Sequence, residues 1–125
     1  DVYARADIVT IHLPKTPETE NWLDDEAFAK MRDGVRVINV ARGPVVDTDA
    51  IVAEVASGRL NMASDVFDPE PLPAGHPLWQ HPNALVIPHN GGNTKAFFPR
   101  MVKLLKKQVQ AWAAGNDGEN LVHRS

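Results

Sequence analysis

Short apolar runs rich in β-branched side chains recur along this chain and predict four strands. Residues 8–13 (I-V-T-I-H-L) and 35–40 (V-R-V-I-N-V) predict two buried strands, because Val, Ile and Thr favour extended backbone. Residues 84–87 predict another. Residues 60–64 predict only a weak strand, because their segment N-M-A-S is polar. We expect this strand to be frayed or shifted.

Helical patterns separate these strands. Asp24 or Asp25 can cap a short helix after the first strand, because an aspartate side chain accepts a free backbone N–H of the first turn. Asp47 or Thr48 can cap a second helix, and Gly58 is placed to end it. Strands that alternate with helices predict βαβ units. We therefore predict an α/β fold class with a parallel sheet.

The segment before the last predicted strand is rich in proline. Residues 68–83 (D-P-E-P-L-P-A-G-H-P-L-W-Q-H-P-N) favour neither a helix nor a central strand, so we expect a long ordered loop. Farther along, apolar side chains recur at helical spacing between Met101 and Trp112. They predict an amphipathic helix that starts at or near Pro99 and ends near Gly115.

Composition narrows the function classes. The chain has 125 residues, 43% hydrophobic side chains and a formal net charge of -3 at pH 7. That length suffices for one hydrophobic core, and the acidic balance argues against a surface for nucleic acid. With no cysteine and no apolar run of membrane-spanning length, we expect a cytoplasmic protein without a membrane partner. The opening D-V-Y-A-R-A-D, without a start methionine, indicates a fragment.

Charged residues follow three of the predicted strands and form a candidate active site. The segments N-V-A-R-G, D-V-F-D-P-E-P and P-H-N-G-G each come directly after an apolar run. Because the carboxyl ends of parallel strands meet at one edge of a sheet, we expect Arg42, Glu70 and His89 to converge there. Asp68 is an alternative carboxylate in the same loop. Taken alone, Arg42 also fits a surface position after a strand, and Glu70 also fits a solvated loop carboxylate. His89 alone also fits a strand-end histidine whose hydrogen bonds are satisfied.

Other titratable residues predict structural roles. His76 and His81 each precede a proline in the predicted loop, and their spacing matches no zinc motif. We therefore predict no metal site. Lys103, Lys106 and Lys107 fit the solvated face of the last helix.

Taken together, the motifs resemble those of the D-isomer-specific 2-hydroxyacid dehydrogenases, the family of phosphoglycerate, glyoxylate and hydroxypyruvate reductases. The resemblance covers about residues 6–112. It rests on A-D-I-V-T-I-H-L-P-K-T-P-E-T, V-I-N-V-A-R-G-P-V-V-D, D-V-F-D-P-E-P-L-P, H-P-L-W and N-A-L-V-I-P-H-N-G-G-N-T, in the family's order. It implies an incomplete domain, the C-terminal half of a Rossmann-like NAD(P)-binding domain, over residues 1–98. Residues 99–125 would be a helix and tail that return toward the substrate domain.

The resemblance also implies an activity and a set of site residues. The expected oxidoreductase transfers a hydride between NAD or NADP, with NAD favoured, and a small 2-hydroxy or 2-oxo acid, and is a homodimer at full length. Arg42 would hold the substrate's carboxylate, His89 would transfer the proton, and Glu70 would orient the imidazole. Cofactor contacts are implied for Asp65, Gly91, Gly92, Val40, Ala41, His12 and Pro14.

Two other interpretations stay open. Some relatives of the family are dinucleotide-sensing corepressors, in which the same fold mainly switches partner binding, and the chain is alternatively an inactive truncated fragment. The presence of all three catalytic residue types favours the enzyme. The chain contains no G-x-G-x-x-G, so we expect the pyrophosphate-binding turn upstream and predict that the isolated chain is inactive.

Overall fold

Four parallel strands form the sheet of this protein, and the computed structural model describes residues 2–120. The strands are β1 (Ile8–Ile11), β2 (Arg36–Asn39), β3 (Asn61–Ser64) and β4 (Ala84–Val86). Their order in the sheet follows their order in the sequence, and every neighbouring pair is parallel. The predicted α/β class with a parallel sheet is therefore confirmed.

The four strands end at the same level of the sheet. Ile11 pairs with Asn39, Asn39 pairs with Ser64, and Ser64 pairs with Val86, and each of these residues is the last of its strand. Loops that leave the strands therefore start side by side along one edge. In parallel α/β sheets, this carboxyl edge is where ligands bind.

The strand boundaries differ from those predicted. The first strand ends at Ile11 and the second at Asn39, so His12 and Val40 follow their strands instead of lying inside them. The expectation that the third strand is frayed or shifted is wrong, because β3 pairs along its length with β2 and also pairs with β4. Because β3 lies between β2 and β4, its backbone N–H and C=O groups find partners on both sides. The polar sequence of β3 alone does not show this pairing.

Two helices follow the first two strands. They are α1 (Asp25–Ala29) and α2 (Thr48–Ala56). Asp24 and Asp47 are the caps, since each carboxylate accepts the backbone N–H three residues later, at 2.9 and 3.0 Å respectively. Gly58 lies just beyond α2 with a φ of 78°, which glycine adopts without steric strain. The predicted caps and the predicted glycine stop are thus confirmed.

The core lies against one face of the sheet. Alternate residues of a strand point to opposite faces, and Val37, Asn39, Met62 and Ser64 are buried whereas Arg36 is exposed. The helices and loops on that side supply most of the remaining core. The largest fully buried side chains are Phe28, Leu60, Leu78, Val35, Val45 and Val55.

Arg59 ties the end of α1 to α2. Its Nε donates to Glu54 Oε2 at 2.5 Å. Its other nitrogens donate to the carbonyl oxygens of Met31 and Phe28, both at 2.9 Å. The hydrogen bond to Glu54 raises the pKa of Arg59 further above its usual value. The charged guanidinium thus binds carbonyl groups in α1 and just after it.

The proline-rich segment between β3 and β4 is an irregular loop, as predicted, except for one 3-10 turn at Pro77–Trp79. Two histidines support its backbone. His76 Nδ1 accepts the N–H of Leu78 at 3.3 Å, and His81 Nδ1 accepts the N–H of Asn83 at 3.2 Å. These contacts are the structural roles predicted for both histidines.

The described residues divide into two compact units, 2–91 and 92–120, and the second contains the helix α3 (Phe97–Ala113). Pro99 lies in the first turn of α3, as predicted, and Gly115 follows the helix with a φ of 71°. No residue of α3 is buried. The exposed large apolar side chains of α3 are Phe97, Phe98, Met101, Val102, Leu104, Leu105, Val109 and Trp112. Within residues 2–120, no helix is long and apolar enough to cross a membrane.

Candidate active site

The carboxyl ends of β1 and β2 border a cavity of about 460 Å³. The two strands end at the same level, so the segments that leave them run beside each other. The predicted site residues that line this cavity are His12, Pro14, Val40, Ala41 and Arg42, together with Leu13 and Lys15. The structure therefore brings together five of the residues singled out from the sequence.

Arg42 presents an exposed guanidinium at this cavity. Its backbone is extended (φ -147°, ψ 141°), and its Nη1 donates to the carbonyl oxygen of Ala41 at 2.6 Å. Among residues 2–120, no carboxylate lies within ion-pair distance of Arg42, whereas Arg32 and Arg59 are both paired. A permanently charged planar group without a protein counter-ion suits the carboxylate of a ligand.

Glu70 and His89 form a hydrogen-bonded pair. His89 Nδ1 and Glu70 Oε1 are 2.6 Å apart, although the residues are 19 positions apart in the sequence. Glu70 belongs to the loop after β3, and His89 follows β4. Because an ionised carboxylate only accepts hydrogen bonds, Nδ1 is the donor and Nε2 is left for another partner. The His89 side chain is 45% exposed and the Glu70 side chain is 39% exposed, so the pair is accessible to solutes.

Asp65 directly follows β3 and has a carboxylate oxygen without a partner. Its Oδ1 is buried and makes no hydrogen bond within the part of the chain that the structure describes. A Cβ built on Gly91 would lie only 2.9 Å from Asp65 Oδ2, so the glycine lets the two segments approach. A Cβ on Gly92 would meet nothing within 4 Å. Asp65 therefore contacts the segment that follows His89, and Gly92 has open space.

Gly43 has a steric role that the sequence analysis missed. A Cβ on Gly43 would lie 1.9 Å from the carbonyl oxygen of Phe67 and 2.8 Å from the backbone nitrogen of Asp68. The backbone directly after Arg42 is thus packed onto the segment that leads to Glu70. In the sequence, the only signal is the pair Gly43-Pro44, which also fits a simple strand end.

Ser64 and Asn39, the last residues of β3 and β2, are buried polar residues that the sequence analysis treated only as strand members. The Ser64 hydroxyl donates to the carbonyl oxygen of Asn39 at 3.0 Å or to that of Val66 at 2.6 Å. It also accepts the N–H of Val66 at 3.2 Å. For Asn39, the available signal was a polar residue that ends an apolar strand, where a buried side chain needs hydrogen-bond partners.

Both the sequence and the fold match known proteins. Residues 1–91 match the family described as D-isomer specific 2-hydroxyacid dehydrogenase, NAD binding domain. The glyoxylate reductase of Thermofilum pendens is 39% identical over 121 residues, which are 96% of this chain and 36% of that protein. The TT0316 protein of Thermus thermophilus has a TM-score of 0.89 at 39% identity, covering 98% of this chain and 39% of its own.

A third similar protein was solved with a cofactor. The D-isomer specific 2-hydroxyacid dehydrogenase of Xanthobacter autotrophicus Py2, in complex with NADPH and MES, has a TM-score of 0.78 at 40% identity. The match covers 97% of this chain and 50% of that one. The present chain thus spans between about a third and a half of the length of these relatives.

Proposed function

This chain belongs to the D-isomer specific 2-hydroxyacid dehydrogenase family, and from that premise we propose that it is part of a longer dehydrogenase, the parent protein. The parent protein interconverts a small 2-hydroxy acid and its 2-oxo acid. The observation that carries this proposal is the contact between His89 Nδ1 and Glu70 Oε1 at 2.6 Å, on the same sheet edge as the unpaired Arg42.

Arg42 is proposed to bind the carboxylate of the acid. Its guanidinium offers several N–H donors in one plane, which match a carboxylate better than the point charge of a lysine does. In support, Arg42 lines the cavity at the ends of β1 and β2 and has no carboxylate partner within residues 2–120. The substrate's negative charge would then be neutralised beside the reacting carbon.

His89 is proposed to move the proton. In the reducing direction, a hydride adds to the carbonyl carbon, the carbonyl electron pair moves to oxygen, and the oxygen takes a proton from Nε2 of His89. Glu70 holds Nδ1, which fixes the tautomer and stabilises the ring while it carries the extra proton. In the oxidising direction, the same Nε2 accepts the hydroxyl proton.

The residues present fit a nicotinamide cofactor, NAD or NADP, with NAD favoured by the family's description. The buried Oδ1 of Asp65 has no hydrogen-bond donor within residues 2–120, and an amide of a bound nicotinamide offers one. Gly91, Gly92, Val40, Ala41, His12 and Pro14 are the further proposed contacts. When bound, the nicotinamide ring supplies or accepts the hydride.

We also propose how the parent protein is organised. Residues 1–98 would belong to the NAD(P)-binding domain, and residues 99–125 would be the helix and tail toward the substrate domain. The exposed apolar side chains of α3 support a role in contacts outside this chain. A cytoplasmic homodimer is the proposed assembly and compartment, supported by the sequence resemblance and by a composition without cysteine.

The test is NADH oxidation by the parent protein with glyoxylate, hydroxypyruvate and pyruvate, beside the variants His89→Ala and His81→Ala. We expect turnover with at least one acid, and a loss of about 10²- to 10⁴-fold in His89→Ala, the range of general acid–base catalysis. His81→Ala is the matched control, because His81 only supports the loop. Binding of NADH without turnover of any 2-oxo acid would refute the enzyme proposal and favour a dinucleotide-sensing role.

A further inference from the structure

Asn39 has a buried side chain at the sheet edge that carries the candidate active site. It is the last residue of β2, and only 4% of its surface is exposed. A buried amide costs free energy unless its donor and acceptor groups are both paired. The hydrogen-bond partners of Asn39 therefore indicate the role of its side chain.

Both hydrogen bonds of the Asn39 side chain go to the segment that carries Arg42. Its Oδ1 accepts the N–H of Ala41 at 3.1 Å, and its Nδ2 donates to the carbonyl oxygen of Arg42 at 3.0 Å. These two groups flank the peptide bond between Ala41 and Arg42. The carbonyl of that same peptide accepts the Arg42 guanidinium at 2.6 Å.

The backbone of Asn39 is in turn hydrogen-bonded to the end of β3. Its own carbonyl oxygen accepts the hydroxyl of Ser64 at 3.0 Å and lies 3.4 Å from the backbone nitrogen of Asp65. Farther along, Gly43 is packed against the carbonyl of Phe67. The short segment between Asn39 and Gly43 is thus fixed at both ends, while the Arg42 side chain between them is exposed.

We propose that Asn39 is a positioning residue for the reaction, which sets the direction of the Arg42 guanidinium by bracketing the Ala41–Arg42 peptide. This inference rests on the proposed function. Arg42 has no carboxylate partner within residues 2–120 to orient it, so its direction depends on its backbone. Because a misplacement of about 1 Å can cost 10²-fold in rate, loss of this bracket acts on substrate binding and turnover.

The experiment compares Asn39→Ala, Asn39→Asp and Asn61→Ala in the parent protein. Asn39→Ala removes both hydrogen bonds, whereas Asn39→Asp keeps the acceptor for Ala41 and loses the donor to the Arg42 carbonyl. Asn61→Ala is the matched control, because Asn61 begins β3 at the opposite end of the strand from the site. For each protein, kcat, the KM for the 2-oxo acid, the Kd for NADH and the melting temperature are measured.

We expect both Asn39 variants to lower kcat/KM for the 2-oxo acid by about 10- to 100-fold, mainly through a higher KM, with a smaller change in the Kd for NADH. Asn61→Ala should match the wild type. If Asn39 acts only through Arg42, the losses in kcat/KM from the two substitutions do not add. Asn39→Ala should therefore lower kcat/KM much less in an Arg42→Lys background than in the wild type.

Several outcomes would overturn the inference. One is a folded Asn39 variant with unchanged kinetics and only a lower melting temperature, which is the result for a purely structural residue. Others are equal losses in the wild-type and Arg42→Lys backgrounds, or failure of both Asn39 variants to fold. If Asn39→Ala alone fails to fold, Asn39→Asp decides the question. A wild-type protein without turnover refutes the proposed function itself, and this inference falls with it.

Discussion

Substitution of Gly43 by alanine tests how closely the segments around the site are packed. The added Cβ would lie 1.9 Å from the carbonyl oxygen of Phe67, whereas such atoms in proteins are essentially never closer than 3.0 Å. One backbone segment must therefore move by roughly 1 Å, because the clashing atoms all belong to the backbone. Gly43 does not have a positive φ, so the steric contact is the whole cause. Overpacking of this kind costs about 1–3 kcal/mol.

The assay is thermal unfolding and steady-state kinetics of the parent protein, with Gly75→Ala as the matched control. A Cβ on Gly75 meets nothing within 4 Å. At about 2–4 °C per kcal/mol for a domain of 150–250 residues, Gly43→Ala should melt roughly 2–12 °C below the wild type. Because Gly43 adjoins Arg42, kcat/KM should also fall, by up to about 10²-fold. A Gly43→Ala protein that melts and turns over like Gly75→Ala would refute the reasoning.

Three further predictions concern Glu70, Glu54 and the isolated chain. Glu70→Gln should lower kcat by about 10²-fold or more, because an amide does not stabilise the imidazolium, whereas the surface variant Glu20→Gln should leave kcat unchanged; equal values for the two proteins would contradict the role of Glu70. Glu54→Gln should lower the free energy of unfolding by about 1–2 kcal/mol, measured by urea denaturation, because Arg59 loses a charged partner. Since Glu54 raises the pKa of Arg59, this contribution is present below the pKa of free arginine and is lost only at strongly alkaline pH, so the difference should be the same at neutral and mildly alkaline pH. The isolated chain of 125 residues should show no NADH oxidation with glyoxylate above the blank, since it has no G-x-G-x-x-G; a clear rate would show that this motif is dispensable.

The sequence was sufficient for the features that depend on local rules. Apolar runs separated by capped helices predicted the parallel sheet, and Asp24 and Asp47 were among the caps proposed. The meeting of Glu70 and His89 was also predictable, because it follows from one topological rule about the ends of parallel strands.

Other features depend on neighbours that are distant in the sequence. β1 ends at Ile11 because its partner ends at Asn39, and no pattern within residues 8–13 contains that information. The polar β3 is a regular strand because it is paired on both sides. Likewise, the glycine at position 43 is required by the backbone of Phe67, which only the folded chain brings into contact with it.

The exposed helix α3 has a consequence for how stability is distributed along the chain. A single helix of 17 residues is marginal in water unless its apolar side is packed, and no residue of α3 is buried. In the 125-residue chain, amide hydrogens of α3 would exchange with solvent through local fraying. Those of β2 and β3 would exchange only when the sheet opens. Hydrogen exchange would therefore record a step in protection between β4 and α3, and a protease would cut first on the α3 side of that step.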